Sequence, residues 1–389
     1  LTARAGTLTL RRIFPETSRM DRHAAKTGTW IIAAGVIIAF LYAGREILST
    51  FAMAVFLFLI IEGFATAIDN AAGRIGSRAA RLIAILLVTA GFVGFIALMA
   101  NGAAEFGRHS DEYEAKINAL IADAYQVVGL TNAPSLTELL FNETGQQFFA
   151  TVANSISGLS GDLMLILIYV AFLFTAQSGW SGKLDNIFRD PARREQVRMI
   201  GNDARLSIER YLWVQTVISA IITLLSYFSL LALGVQNALF LSALIFVLNY
   251  IPTVGSIAAA LVPPLFALVQ PGVPAWVPAV APQDSYLYAA IVFGIVSFWQ
   301  FSIGNFIQPR MMRDSLNLSA LVVLLALAIW GVIWGIPGMF LSAPLTVLMM
   351  ILFAQSRETR WIAILLSSDG NPRVKQADPD SVVTEPTTG

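Results

Sequence analysis

From Tyr211 to Gln283 the chain holds no Asp, Glu, Lys, Arg or His. A stretch of that length without an ionisable side chain belongs in a lipid bilayer, where each buried charge is costly. Inside it lies Asn249–Gln270, NYIPTVGSIAAALVPPLFALVQ, with Pro252, Gly255, Pro263 and Pro264 set in an apolar run. Each proline removes a backbone donor and crowds the preceding turn, so the spacing predicts a helix that breaks here rather than running through. Broken backbone at membrane depth is tolerated only where protein buries it or a wet cavity receives it. Discontinuous helices of this kind hold substrate or ions in transporters. A proline kink without a ligand accounts equally well for this stretch taken alone.

The theme returns at Trp330–Leu348, WGVIWGIPGMFLSAPLTVL, where Gly331, Gly335, Pro337, Gly338 and Pro344 interrupt another charge-free run. Between the two, Gly304–Leu327 sets a polar cluster against an apolar segment. Three pieces stand in order: Ile251-Pro252-Thr253-Val254-Gly255; Pro309-Arg310 with Asp314-Ser315-Leu316-Asn317-Leu318; and Gly335-Ile336-Pro337-Gly338 with Ala343-Pro344. Together they resemble the C-terminal signature of the autoinducer-2 exporter (AI-2E) family, the PerM-type permeases. The resemblance is good from Arg210 to Leu352 and elsewhere rests on hydropathy and segment order. It implies a bacterial inner-membrane protein with eight spans, a long external insert after the third, and assembly as a homo-oligomer, a pentamer. Two positions depart from the family pattern. Ile61-Glu62-Gly63 stands where "LNP" is usual, and Val214-Gln215 where "GQ" is usual.

Composition agrees with a membrane chain. Of 389 residues 56% are hydrophobic and 13% charged, against about 25% charged in soluble domains. Net charge is zero and the basic residues are scattered, so no nucleic-acid surface is expected. The absence of cysteine removes disulfides, thiolate metal sites and a cysteine nucleophile. His23 and His109, far apart and outside the apolar segments, argue against a histidine metal site or a Ser-His-Asp triad. HExxH, GxSxG and Walker A patterns are missing, so the chain is expected to be neither an enzyme nor an ATPase, with no cofactor and no metal.

Taken in order, the expected fold is an all-α polytopic membrane protein of about eight transmembrane helices, with broken or re-entrant segments in its C-terminal half. Residues 1–28 form a basic cytoplasmic arm, and residues 29–101 hold spans 1–3, the first two joined by an outer turn at Gly44-Arg45-Glu46. Residues 102–154 are acidic and form an external helical insert, with Ile117, Leu120, Ile121, Ala124 and Val128 at helical spacing and a capping box at Ser135–Glu138. Residues 155–177 hold span 4. Residues 178–210, rich in arginine, are a cytoplasmic helical segment. Residues 211–355 form the transport core, and residues 356–389 a cytoplasmic tail with a disordered end. Both termini are thus cytoplasmic.

The polar groups of the core are neutral, which suits a small hydroxylated solute or a partly dehydrated monovalent cation held by carbonyls. The expected path follows the breaks: Asn249, Pro252, Thr253, Gly255 and Ser256; Asn305, Gln308 and Pro309; and Gly335, Pro337 and Gly338. Glu62 is the carboxylate set deepest in an expected span, and therefore the candidate for proton coupling. Asp69 and Asp162 lie nearer segment ends. The resemblance implies export of a small polar signal such as autoinducer-2, by a secondary, ion-coupled mechanism. The alternatives are monovalent cation (Na+ or Li+)/proton antiport and a passive channel.

Overall fold

The structure, a computed structural model, describes residues 28, 32–71, 76–108, 110–127, 129, 134–135, 138, 163–177, 179–270, 272–273, 284–312 and 317–372. Much of the basic arm, most of the second half of the insert, most of the proline-rich loop at 271–282 and the end of the tail lie outside them, as do His23, His109 and Asp314. The fold is all-α, and the described residues include no strand, only an isolated bridge between Leu318 and Ser367. Among the described residues five helices are long and apolar enough to cross a membrane, and four shorter apolar ones accompany them.

The chain forms two compact units, Leu1–Ser49 and Thr50–Gly389. Helix α1 (Ile32–Ala43) lies in the first, and α2 (Arg45–Ala71) begins there and has most of its length in the second. The outer turn expected at Gly44-Arg45-Glu46 is not formed. Gly44 N–H donates to Phe40 O and Leu48 N–H to Gly44 O, both at 2.9 Å, so helical hydrogen bonding carries through the glycine.

In the second unit, α2, α3 (Ser77–Arg108) and α5 (Leu163–Gln177) share a core of Ala54, Leu57, Ile61, Ala84, Ile166 and Val170. Within lipid such helices associate through close packing rather than through water exclusion, and the alanines permit that approach. Helix α4 (Ser110–Val127) belongs to the insert. Beyond it the capping box is reciprocal: Ser135 N–H donates to Glu138 Oε2 at 3.0 Å and Glu138 N–H to Ser135 Oγ at 3.2 Å.

A short α6 (Trp180–Ile187) leads into α7 (Pro191–Leu233), 43 residues and roughly 65 Å long. Asp190 caps its start by accepting from Ala192 N–H at 3.0 Å, and Pro191 occupies the first turn. At its end Gly234 takes φ 70°, with Gly234 N–H bonded to Leu231 O and Val235 N–H to Leu230 O, the pattern that closes a helix with a left-handed residue. Its first half carries the charges and its second half is apolar.

Helices α8 (Ala238–Leu248) and α9 (Val254–Val269) then form a closed hairpin. At its open end Gln236 N–H donates to Gln270 Oε1 at 3.1 Å; at its tip a Cβ on Gly255 would overlap the Leu248 carbonyl oxygen. The two halves of the expected break behave differently. The chain turns at Asn249–Thr253, but Pro263 and Pro264 lie inside α9, which continues past them. Both are buried, and α10 (Ser285–Ser302) packs along α9 through Tyr288, Val292 and Val296, so neighbouring side chains hold the helix where two backbone bonds are lost.

Helix α10 passes through a π-helical turn, Ile303–Ile307, into α11 (Gln308–Met312). Helix α12 (Ala320–Ala354) is two arms joined at Gly335, whose φ 64° and ψ −140° are not helical. A Cβ on Gly338 would overlap the Trp330 carbonyl oxygen, so the second arm folds back on the first. Helix α13 (Arg360–Leu366) follows, and the segment after it returns to the start of α12: Ser319 N–H donates to Leu366 O at 3.1 Å and Asn317 Nδ2 to Asp369 Oδ1 at 2.6 Å. Asn317, part of the second signature piece, thus fastens the chain after α13.

Candidate functional site

A cavity of about 530 Å³ opens beside the tip of the first hairpin, within the ordinary range for small-molecule sites. Helix α7 contributes Tyr211, Gln215, Ile218 and Ile222, which recur at helical spacing along one face. The tip contributes Asn249, Ile251, Pro252, Thr253 and Ser256. Helix α10 and its π-turn contribute Ser297, Gln300, Gly304 and Asn305, followed by Gln308 from α11. Among the described residues, none that lines the cavity is Asp, Glu, Lys, Arg or His.

The tip owes its shape to three adjacent residues. Pro252 fixes its own φ and supplies no donor. Thr253 sits at φ 61°, ψ −60°, and Val254 N–H donates to Pro252 O at 2.6 Å across it. This is the rare γ-turn with positive φ, a conformation costing about 1–3 kcal/mol for a residue with a branched side chain. Gly255 then leaves room for the Leu248 carbonyl. Polar side chains hold the strained tip from two sides. Gln215 Nε2 donates to Asn249 O at 2.6 Å, and Gln300 Nε2 to Asn249 Oδ1 at 3.1 Å.

Tyr250 anchors the tip on its other side. Its hydroxyl lies 2.6 Å from Thr216 Oγ1, and its ring contacts Phe56 of α2, Phe246 of α8 and, stacked, Phe340 of α12. The tip is therefore joined to three other helices through one residue.

The π-turn has a cause in the sequence. Pro309 cannot donate to the carbonyl four residues back, and its ring would strike that carbonyl in a regular helix. The widened turn relieves the conflict, with Gln308 N–H reaching back to Ile303 O. Asn305 Nδ2 takes up the Phe301 carbonyl at 2.9 Å. The extra residue brings both Gly304 and Asn305 to the cavity wall.

Of the residues expected on the path, Asn249, Pro252, Thr253, Ser256, Asn305 and Gln308 line one cavity. Gly255 lies behind the tip, and Pro309 acts through the backbone it distorts. Gly335, Pro337 and Gly338 make the second reversal, which reaches the cavity wall through Val323 and Ala343. Tyr211, Gln215, Ser297 and Gln300 complete the wall. A lone carboxamide four residues after Tyr211, in a segment whose other polar residues are hydroxyls, was the signal available for Gln215.

Glu62 is elsewhere. It is 4% exposed and does not line the cavity. Its carboxylate lies 2.9 Å from Arg81 Nε of α3, in a contact not aligned as a hydrogen bond, and accepts from Arg205 Nη2 of α7 at 3.0 Å. Arg205 Nε also donates to Glu209 at 2.5 Å.

The insert is tied to the base of the hairpin. Tyr113 of α4 is buried, packs on the Phe266 ring and donates to Gln236 Oε1 at 3.3 Å. Burial, then the nearby charges of Glu105 and Glu112, push its phenol above the usual range, so it stays a neutral donor.

Comparison with known proteins decides the family. The sequence profile of the AI-2E family transporter matches residues 31–358. The chain belongs to the AI-2E transporter family. It is 28% identical over 344 residues to the AI-2 transport protein TqsA of Escherichia coli (strain K12), covering 87% of this chain and 95% of that protein. A presumed transport protein of Haemophilus influenzae (strain ATCC 51907 / DSM 11121 / KW20 / Rd) is 27% identical over 86% of this chain and 94% of its own length. YhhT of Escherichia coli (strain K12), another presumed transport protein, is 25% identical over 92% of this chain and 98% of its own length. This AI-2E chain is therefore a multi-pass membrane transporter of a bacterial family.

Proposed function

We propose that this transporter exports a small, neutral, hydroxylated solute of the autoinducer-2 kind through the cavity at the hairpin tip. One observation carries the reading: a half-open cavity of about 530 Å³ whose largely apolar wall is set with carboxamides and hydroxyls and has no Asp, Glu, Lys, Arg or His among its described lining residues, beside strained and broken backbone. A sugar-sized molecule fits such a space, and uncharged donors and acceptors can exchange for its hydration. The name of the relative TqsA supports the choice of solute.

A second reading rests on the carboxamide oxygens themselves, which can also replace the hydration of a monovalent cation and so serve cation/proton antiport. The proposal further places the protein in the bacterial inner membrane with both termini cytoplasmic, as a homopentamer. If export is coupled to protons, Glu62 is the candidate carrier, since no other carboxylate among the described residues is as buried in an apolar helix.

Reconstitution separates the two readings. Proteoliposomes should release labelled autoinducer-2 through the protein, whereas a sodium-driven pH change without autoinducer-2 movement would replace this reading with antiport.

A further inference from the structure

The cavity wall is lopsided in its hydrogen bonding. Gln300 Nε2 is committed to Asn249 Oδ1 at 3.1 Å, Asn305 Nδ2 to Phe301 O at 2.9 Å, and Gln308 Nε2 to Gln215 Oε1 at 3.5 Å. Gln215 is used at both ends, since its own nitrogen donates to Asn249 O. Each of the three carboxamides on the α10–α11 side thus donates inward to the protein. Their oxygens, Gln300 Oε1, Asn305 Oδ1 and Gln308 Oε1, receive no protein donor among the described residues; Gln300 and Gln308 are half-buried and Asn305 is exposed. On the wall, two buried groups also lack partners, Asn249 Nδ2 and Ser297 Oγ. A buried polar atom left unpaired costs about 1–3 kcal/mol, which points to a partner supplied from outside the chain.

We infer that Gln300, Asn305 and Gln308 form an acceptor face that selects the solute by its hydroxyl hydrogens, so the site takes neutral polyols and rejects carboxylate- and phosphate-bearing solutes. This rests on the proposed transport site and adds which atoms read the solute. Three carboxamide oxygens held in place by their own nitrogens favour a ligand that donates. A carboxylate or phosphate group brings only acceptors to that face, and no Lys, Arg or His among the described wall residues offsets its charge. A dehydrated monovalent cation would be served by two or three of the oxygens and would leave most of the 530 Å³ unused. A polyol can occupy that volume and also offer an oxygen to Asn249 Nδ2. The π-turn imposed by Pro309 is what places Asn305 and Gln308 on the same wall as Gln300, which makes these three specificity residues of one structural device.

The test uses the purified full-length protein and labelled autoinducer-2 in equilibrium binding, with two competitors of matched carbon count. Ribitol, a neutral polyol, should displace the label, and ribonate, its carboxylate counterpart, should not at a hundredfold higher concentration. Gln300→Met and Gln308→Met, which keep side-chain length and remove the whole carboxamide, its oxygen and its nitrogen, should each weaken binding about tenfold. The competitor pair needs no variant and stands even if a substitution impairs folding. Ribonate competing as well as ribitol, or both variants keeping the parental affinity, overturns the acceptor face while leaving the transport reading intact. Binding of neither autoinducer-2 nor ribitol, with saturable ²²Na⁺ binding instead, overturns the transport reading and the inference with it.

Discussion

Glu62 and Arg205, 143 residues apart in sequence, meet at 3.0 Å between Glu62 Oε2 and Arg205 Nη2. With Arg81 on α3 and Glu209 on α7, they join three helices through a charge-balanced cluster. Removing one partner of such a cluster leaves the others desolvated without compensation. Both arginine side chains are 40% exposed, which moderates the penalty. Glu62→Gln should lower stability by about 1.5–3 kcal/mol, the range for hydrogen bonds to charged groups, seen as a lower Tm in detergent. The same variant examines coupling. A carrier at Glu62 must leave two guanidiniums to take up a proton, and if it does so, the pH dependence of transport disappears in Glu62→Gln.

The two overlapping glycines give a sharper test of the hairpin. A Cβ on Gly255 would overlap the Leu248 carbonyl, a backbone atom that cannot step aside, and would also press on Ile251. Gly255→Ala should cost about 1–3 kcal/mol as overpacking and strongly reduce transport by opening the tip. Gly294→Ala, on an exposed face of α10 with nothing near its Cβ, should leave both Tm and transport close to the parental values. Equal behaviour of the two variants would show that the close approach at the tip is unimportant.

What the sequence made legible was the position of the first turn and the composition of the cavity, because proline chemistry and missing charge are local properties. Pro252 and Pro309 both disrupt their helices as their covalent structure requires. Pro263 and Pro264 have the same chemistry, yet α9 runs through them, because packing by α10 is tertiary and invisible in a local pattern. The partners of Glu62 were hidden for a related reason: nothing local in the sequence pairs Glu62 with Arg81 or with Arg205 of the arginine-rich segment until the helices are assembled. Gly335 announced the second reversal, but not that the cavity meets that hairpin through Val323 and Ala343.

Thr253 stores strain that can be released. Glycine accepts its φ of 61° without a Cβ penalty, while the unfolded chain gains only about 0.5–1 kcal/mol of extra freedom. Thr253→Gly should therefore be neutral or stabilising by roughly 1 kcal/mol, yet should slow transport because the tip loses its imposed geometry and a hydroxyl. A rise in Tm with unimpaired transport would mean that the strain is incidental to function.

The last prediction concerns sidedness, which the Tyr113–Gln236 hydrogen bond makes a joint test of two segments. Tyr113 belongs to the acidic insert, and Gln236 lies at the open end of the first hairpin, where it bonds Gln270. The insert and that open end must therefore face the same aqueous side. The arginine-rich start of α7 should face the other, because basic loops are retained in the cytoplasm. The chain has no cysteine, so single cysteines can be introduced without background. In intact cells a membrane-impermeant maleimide should label Glu112→Cys directly and Arg193→Cys only after permeabilisation. Both positions are exposed, so failure to label cannot be ascribed to burial. Labelling of Arg193→Cys from outside, with Glu112→Cys protected, would invert the assigned orientation and put the hairpin's open end in the cytoplasm.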